Sequence, residues 1–223
     1  MKAKDILSHV DHTLLKQTAT WAQMQRVAEE AIRYGTATVM VPSCYVARLA
    51  RIYRARLKVA TVVGFPNGNA STAAKLAETA QALADGAAEI DMVMNIGMLK
   101  AGEEQYVTEE IRALKALCGE RVLKVIVETG FLTQEEKIAA CRAVTEGGAD
   151  YIKTSTGFGP QGATLEDIAL FRAHIGAGVK MKAAGGIHTR AEMEAFLAAG
   201  CDRLGASSAV AVLKDAWEEE QEK

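Results

Sequence analysis

Residues 122–156 read VLKVIVETGFLTQEEKIAACRAVTEGGADYIKTST, and this stretch decides the fold. Its two ends, VLKVIVE (122–128) and DYIKTST (150–156), are short apolar runs rich in Val, Ile and Tyr, the signature of strands. Between them TQEEKIAACRAVTEGG carries a helix's punctuation: Thr133 with Glu136 as a capping box, and glycines at the close. A strand, a helix and a second strand form one parallel crossover unit. The unit recurs on both sides. Strands are expected near residues 8–14, 36–41, 58–64, 88–95, 122–128, 149–155, 178–184 and 202–207, starting about 22 to 34 residues apart, with room for a helix in each gap. TWAQMQRVAEEAIRYG opens on Thr20 and stops at Gly35, and TRAEMEAFLAAG repeats the pattern with Thr189, Glu192 and Gly200. An open doubly wound sheet usually has five or six such units and a fingerprint glycine loop. Eight units, with no linker or break in composition, predict one closed (β/α)8 TIM barrel spanning residues 1–223. The first strand, SHVDHTLL, alternates irregularly, and closure of the barrel requires it.

Of the 223 residues, 49% are apolar and 5% aromatic, so a sizeable core must be packed by aliphatic side chains and alanine. A net charge of −2 gives no electrostatic footprint for nucleic acid, and no partner of that kind is expected. No apolar stretch reaches the roughly 18 residues of a membrane span, and no secretory apolar region is present. Cys44, Cys118, Cys141 and Cys201 are scattered without a C-x-x-C pair, which points to free thiols and a cytoplasmic protein. Cys118 and Cys141 fall on helical patterns as small core residues. The charged leader MKAKD and the acidic tail WEEEQEK read as solvated ends.

The chemistry lies in three lysines inside apolar strands: Lys124, Lys153, and Lys182 in VKMKAAGG. Lysine is rarely buried unless paired or employed. Side chains alternate along a strand, so Asp91, Lys124, Lys153 and Lys182 can all point into one barrel interior from four consecutive strands. A free lysine is neutral only about 0.04% of the time at pH 7. A second ammonium about 5 Å away, at an effective dielectric near 20, costs the charged form about 3 kcal/mol, or over two pKa units. Such an amine attacks carbonyls and forms Schiff bases. Any one of these lysines could instead reach water at a strand end or sit in a structural ion pair. Three on consecutive strands in matching positions favour the chemical reading, without deciding which is the nucleophile. Lys180 is expected to reach water.

Two glycine-rich segments follow the last two strands, AAGGIHT (183–189) and LGASSAV (204–210), where barrels commonly hold phosphate. Gly185, Gly186, Gly205, Ser207 and Ser208 are the candidates there. STGFGPQGAT (155–164) is a third such loop after the lysine strand. His9 and His12 fall on opposite faces of a strand, and no motif supports a metal. GFPNGN (64–69) lacks the spacing and lysine of a nucleotide P-loop and reads as a turn shaping the pocket rim. His188 borders the phosphate loop, and His174 is expected at the surface.

Taken together, DHTLLK (11–16), GFPNGN, EIDMVMNIG (89–97), LKVIVETGFLT (123–133), GADYIKTSTGFGPQGAT (148–164), VKMKAAGGIHT (179–189) and LGASS (204–208) resemble the deoxyribose-phosphate aldolase family in order over nearly the whole chain. The resemblance implies a barrel lyase with no cofactor and no metal. It would cleave 2-deoxy-D-ribose 5-phosphate reversibly into acetaldehyde and D-glyceraldehyde 3-phosphate. By that likeness Lys153 is the Schiff-base lysine, Lys182 the second lysine that lowers its pKa, Asp91 the acid/base carboxylate, and Lys124 the lysine contacting Asp91. Thr156, Gly157, Gly185, Gly186, Gly205, Ser207 and Ser208 match substrate and phosphate positions. Asp11 and Thr13 match groups lining the pocket near the sugar hydroxyls. Phe158 stands where some family members carry lysine and His188 where many carry arginine, which moves phosphate binding toward backbone amides. Val39 and Val41 stand where many members show cysteine and asparagine beside the pocket. The family also implies a dimer or tetramer. A Schiff-base barrel acting on another sugar phosphate, and a catalytically silent sugar-phosphate-binding barrel, are the competing readings.

Overall fold

The computed structural model describes residues 1–222. Eight parallel strands close into one barrel: β1 Val10–Thr13, β2 Thr38–Val41, β3 Val59–Val63, β4 Glu89–Val93, β5 Val122–Ile126, β6 Tyr151–Lys153, β7 Lys180–Ala184 and β8 Arg203–Ala206. The irregular first strand is real, and it closes the ring by pairing Asp11 with Thr38 on one side and Gly205 on the other. The helices are α1 Ala3–Leu7, α2 Trp21–Tyr34, α3 Val46–Tyr53, α4 Thr72–Ala84, α5 Ile96–Lys100, α6 Glu104–Cys118, α7 Gln134–Glu146, α8 Leu165–His174, α9 Arg190–Ala198 and α10 Ala209–Gln221.

The punctuation seen in the sequence sets the helix ends. Thr133 Oγ1 accepts from Glu136 N–H while Glu136 Oε2 accepts from Thr133 N–H, and Thr189 and Glu192 repeat the exchange. Gly35 stops α2 in the left-handed region at φ 66°.

Both chain ends differ from expectation. The leader is not merely solvated: it forms α1, with Ala3, Ile6 and Leu7 fully buried. Its unsatisfied Ala3 N–H donates to Glu220 of the acidic tail at 2.9 Å. The Trp217 ring meets Tyr34 edge-on with centroids 5.1 Å apart, and Glu218 accepts from Arg33 at 2.7 Å. A short helix exposes backbone donors at its start, and the tail's carboxylates satisfy them. Lys223 lies outside the described residues.

Strand parity divides the core in two. Ile90, Met92, Leu123, Val125, Ile152, Met181, Ala183 and Leu204 point outward and pack under the helices. Val39 and Val41 belong to this outer set, so they do not flank the pocket as the family comparison suggested. Thr38 and Met40 are the inward residues of β2, because successive side chains of a strand face opposite ways. Inside, Met40, Ala60 and Val62 make a small apolar cluster against Leu15 and Phe65. Much of the remaining interior is ionic, with the Tyr151 ring beside Lys124 and Arg203.

Candidate active site

Asp91 is fully buried at the centre of the barrel and receives three amines. Lys124 Nζ donates to its Oδ1 at 2.7 Å, while Lys182 Nζ and Lys153 Nζ donate to Oδ2 at 2.7 and 2.9 Å. Register explains the convergence. β4 places Asp91 beside Lys124 of β5, and β6 places Lys153 beside Lys182 of β7. Lys124 also contacts Glu89 Oε2 at 2.6 Å, and Lys182 bonds Asp11. Asp11 is bonded in turn by Arg203 and, at 2.8 Å, by Thr38 Oγ1. Arg203 reaches Glu89 at 3.1 Å. Four cations and three carboxylates are thus wired through the barrel axis.

Above them opens a cavity of about 290 Å³, walled by Thr13, Leu15, Lys153, Thr156, Gly157, Gly185, Gly186, Ile187, His188, Gly205 and Ser207 among others. It sits at the carboxyl ends of the strands, where barrel chemistry gathers. Lys153 is the one member of the lysine cluster on its wall. A larger groove of about 760 Å³ lies outside the barrel between α2 and α10, away from the amines.

Residues 6–219 match the model of the DeoC/LacD family aldolases. The chain belongs to that family. The deoxyribose-phosphate aldolase of Clostridium botulinum (strain Alaska E43 / Type E3) is 58% identical over 214 residues, 96% of this chain and 97% of its own. That of Streptococcus pyogenes serotype M4 is 49% identical over 215 residues, 96% of each chain. Among solved structures, a deoxyribose-phosphate aldolase described as putative, from Coccidioides immitis, superposes with a TM-score of 0.92 at 37% identity, covering 96% of this chain and 87% of that one. The aldolase of Aeropyrum pernix, reported as a tetramer, gives 0.88 at 28% identity, over 96% and 91%.

In this aldolase the lysines are not equivalent, and their surroundings separate candidates that strand parity left open. Burial lowers the Lys153 ammonium, Asp91 resists, and the positive charges of Lys182 and Lys124 help burial prevail, so its pKa is pushed down to about 8. Burial acts in the same sense on Lys124, but Asp11, Asp91 and Glu89 overcome it and hold that amine above the ordinary lysine value. For Asp91, burial opposes ionisation. Lys124, Lys153 and Lys182 outweigh it and keep the carboxyl well below the usual range. Asp11 follows the same logic, with Lys124, Lys182 and Arg203 prevailing over burial. With four cations against three carboxylates, the cluster balances when one amine is uncharged. Lys153, with a single carboxylate contact and a face on the cavity, is the amine best placed to give up its proton.

The remaining expected residues divide. Thr13, Thr156, Gly157, Gly185, Gly186, Gly205 and Ser207 line the cavity. Ser208 lies behind it, its hydroxyl donating to Ile187 O at 3.2 Å and tying the last two loops together. Asp11 is 0% exposed and sits below the cavity floor, so it acts on the amines rather than lining the pocket as expected. Inward parity on β1 places it one layer beneath Thr13. Thr156 spends both its N–H and its hydroxyl on Glu128. No residue of the Gly64–Asn69 turn lines this cavity; its Phe65 meets Phe158 edge-on at 5.3 Å, and both wall a neighbouring pocket with Leu15 and Pro42.

Sequence reading missed Arg203 and Glu89. Each lies two residues before a recognised inward position on its own strand, so the parity rule that found Asp91 reaches both. It also missed Lys75, fully buried in α4, which donates to Glu110 at 2.7 Å and to Val93 O at 2.8 Å. Helical lysines with acidic partners are common, and nothing in the pattern around Lys75 marks burial.

Proposed function

We propose that this family member is a class I aldolase, a lyase that reversibly cleaves 2-deoxy-D-ribose 5-phosphate to acetaldehyde and D-glyceraldehyde 3-phosphate through a Schiff base on Lys153. The observation that carries the reading is a single amine, Lys153, held on the cavity wall with its proton loosened by burial and by two neighbouring lysines. The names of relatives up to 58% identical over nearly the whole chain support the substrate.

In the cleavage direction, neutral Lys153 Nζ adds to the C1 aldehyde of the open-chain sugar, and loss of water gives an iminium. Removal of the C3 hydroxyl proton then breaks the C2–C3 bond. The electron pair moves into the iminium, leaving an enamine and releasing glyceraldehyde 3-phosphate. Protonation of the enamine at C2 and hydrolysis return acetaldehyde and free Lys153. Asp91, ionised and adjacent to Lys153, is the proton acceptor and donor for these steps. Lys182 shares its carboxylate oxygen and passes protons within the same group. Lys124 fixes Asp91 from the other side. The phosphate is held by the glycine backbone of Gly157, Gly185, Gly186 and Gly205 with Ser207, at the amino end of α10, where exposed N–H groups and the helix dipole favour an anion. No helix among the described residues is long and apolar enough to cross a membrane. A homodimer or homotetramer, in the cytoplasm, completes the proposal.

Acetaldehyde with cyanoborohydride should fix a two-carbon adduct on Lys153, located by peptide mass spectrometry, and Lys153→Ala should lose both adduct and turnover while keeping its circular dichroism. An adduct on Lys124 or Lys182, or turnover in the alanine variant, removes Lys153 from its role. Comparing cleavage of deoxyribose 5-phosphate with that of keto-sugar phosphates separates this reading from a related Schiff-base aldolase.

A further inference from the structure

We propose that Glu128, which does not itself line the cavity, is a positioning residue that holds the turn after β6 in the pose that offers its backbone to the substrate phosphate. The inference rests on the phosphate-side reading above and adds the residue that enforces it.

Three independent features converge on this side chain. Glu128 leaves β5 at φ 54°, one of two non-glycine residues in the left-handed region among those described. That conformation is strained for a residue with a Cβ and persists only where surrounding contacts enforce it. Its carboxylate is 1% exposed and has no cationic partner within ion-pair distance among the described residues, unlike the carboxylates of the lysine cluster. A buried carboxylate must then be satisfied by hydrogen bonds. Thr156 supplies them: its N–H donates to Oε2 at 3.1 Å, and its hydroxyl donates to the same oxygen. Thr156 Oγ1 in turn accepts from Phe158 N–H at 3.0 Å, which closes the turn. Gly159 completes the enclosure, since a Cβ there would lie 2.8 Å from Oε1 of Glu128.

The consequence for the cavity is specific. Both donors of Thr156 face Glu128, so this residue has none left for a ligand. What the turn presents to the cavity is Gly157, at φ 84°, opposite Gly185 and Gly186. Losing the Glu128 contact frees the turn to rotate and spoils the phosphate cradle without touching Lys153.

The test compares Glu128→Ala, Glu128→Gln and Gly159→Ala with wild type on deoxyribose 5-phosphate and on unphosphorylated deoxyribose. The rate of acetaldehyde trapping on Lys153 is measured in parallel. Glu128→Ala is expected to raise KM for the phosphorylated sugar at least tenfold and to weaken competitive inhibition by inorganic phosphate to a similar extent. Trapping and kcat/KM on the unphosphorylated sugar should change less than threefold. Gly159→Ala attacks the same contact from the opposite side and should shift KM in the same direction; Glu128→Gln keeps one acceptor oxygen and should fall between. These two carry the test should Glu128→Ala fail to fold. Equal losses on both sugars, or slowed trapping, would place Glu128 in the chemistry or the general fold and overturn the proposal, as would an unchanged KM. Failure of the underlying reading shows instead in the wild type, as no preference for the phosphorylated sugar, and ends this proposal with it.

Discussion

Lys182→Met tests the electrostatic core of the site. Lys182 and Lys153 donate to one oxygen of Asp91, at 2.7 and 2.9 Å. Two amines so placed stand about 5 Å apart, and at an effective dielectric near 20 the charge on one costs the other about 3 kcal/mol, or about two pKa units. Removing Lys182 also leaves Asp91 with one fewer cation to share, which pushes the same way. The Lys153 pKa should therefore climb from about 8 toward about 10. At pH 7 its neutral fraction falls from about a tenth to about a thousandth, so trapping by acetaldehyde and cyanoborohydride should slow about 100-fold. The deficit must shrink with pH, to about tenfold at pH 9 and about twofold at pH 10, as both proteins become neutral at residue 153. Measuring trapping by intact-protein mass spectrometry across that range isolates imine formation from later proton transfers. A deficit that stays constant with pH would refute the field argument and leave Lys182 only a structural or proton-donating part.

Four further outcomes follow, three from the same cluster and one from a separate buried ion pair. In the wild type, kcat/KM should rise with pH and level off above about 8, the value at which Lys153 loses its proton; a flat profile from pH 6 to 9 would contradict this. Because Lys153 is lowered on folding, the unfolded chain binds more protons between about 8 and 10.5, so wild-type stability should rise across that window. Lys153→Met should be more stable than wild type at pH 7 by about 3 kcal/mol and lose that advantage near pH 10.5, as thermal melts would show. Asp11 and Asp91 have the opposite sign: their stabilisation is complete above the ordinary value of 3.8 and is lost as pH falls below it, which denaturant midpoints at pH 3 and pH 6 should reveal. Finally, Lys75→Met strands the buried Glu110 and should cost about 3–5 kcal/mol, while Lys75→Met with Glu110→Leu should recover most of it in urea unfolding.

Local periodicity and stop signals carry the barrel. Apolar strand runs such as Val122–Ile126 recur eight times, and capping boxes like that of Thr133 with Glu136 open three of the helices between them; each is a short-range steric or hydrogen-bonding effect visible in a few consecutive residues. Inward parity follows from strand geometry, and it placed Asp91, Lys124, Lys153 and Lys182 in one interior before any coordinates. Parity does not say how far a side chain lies along the axis from another strand's residue. Register does, and it brought Asp11, Arg203 and Glu89 onto one ion chain with the lysines. The family resemblance singled out Lys153; the structure supplies a reason in its cavity-facing position and its single carboxylate.

Residue order alone therefore determined the eightfold wrapping and the inward parity of Asp91, Lys124, Lys153 and Lys182, because both depend on neighbours close along the chain. Only the closed tertiary structure decided the opposite pulls on the Lys153 and Lys124 amines, the burial of the chain ends against one another and the enclosure of Glu128. Those depend on groups that meet from distant strands at a few ångströms in low dielectric, where the pairwise energies are large enough to separate otherwise identical lysines.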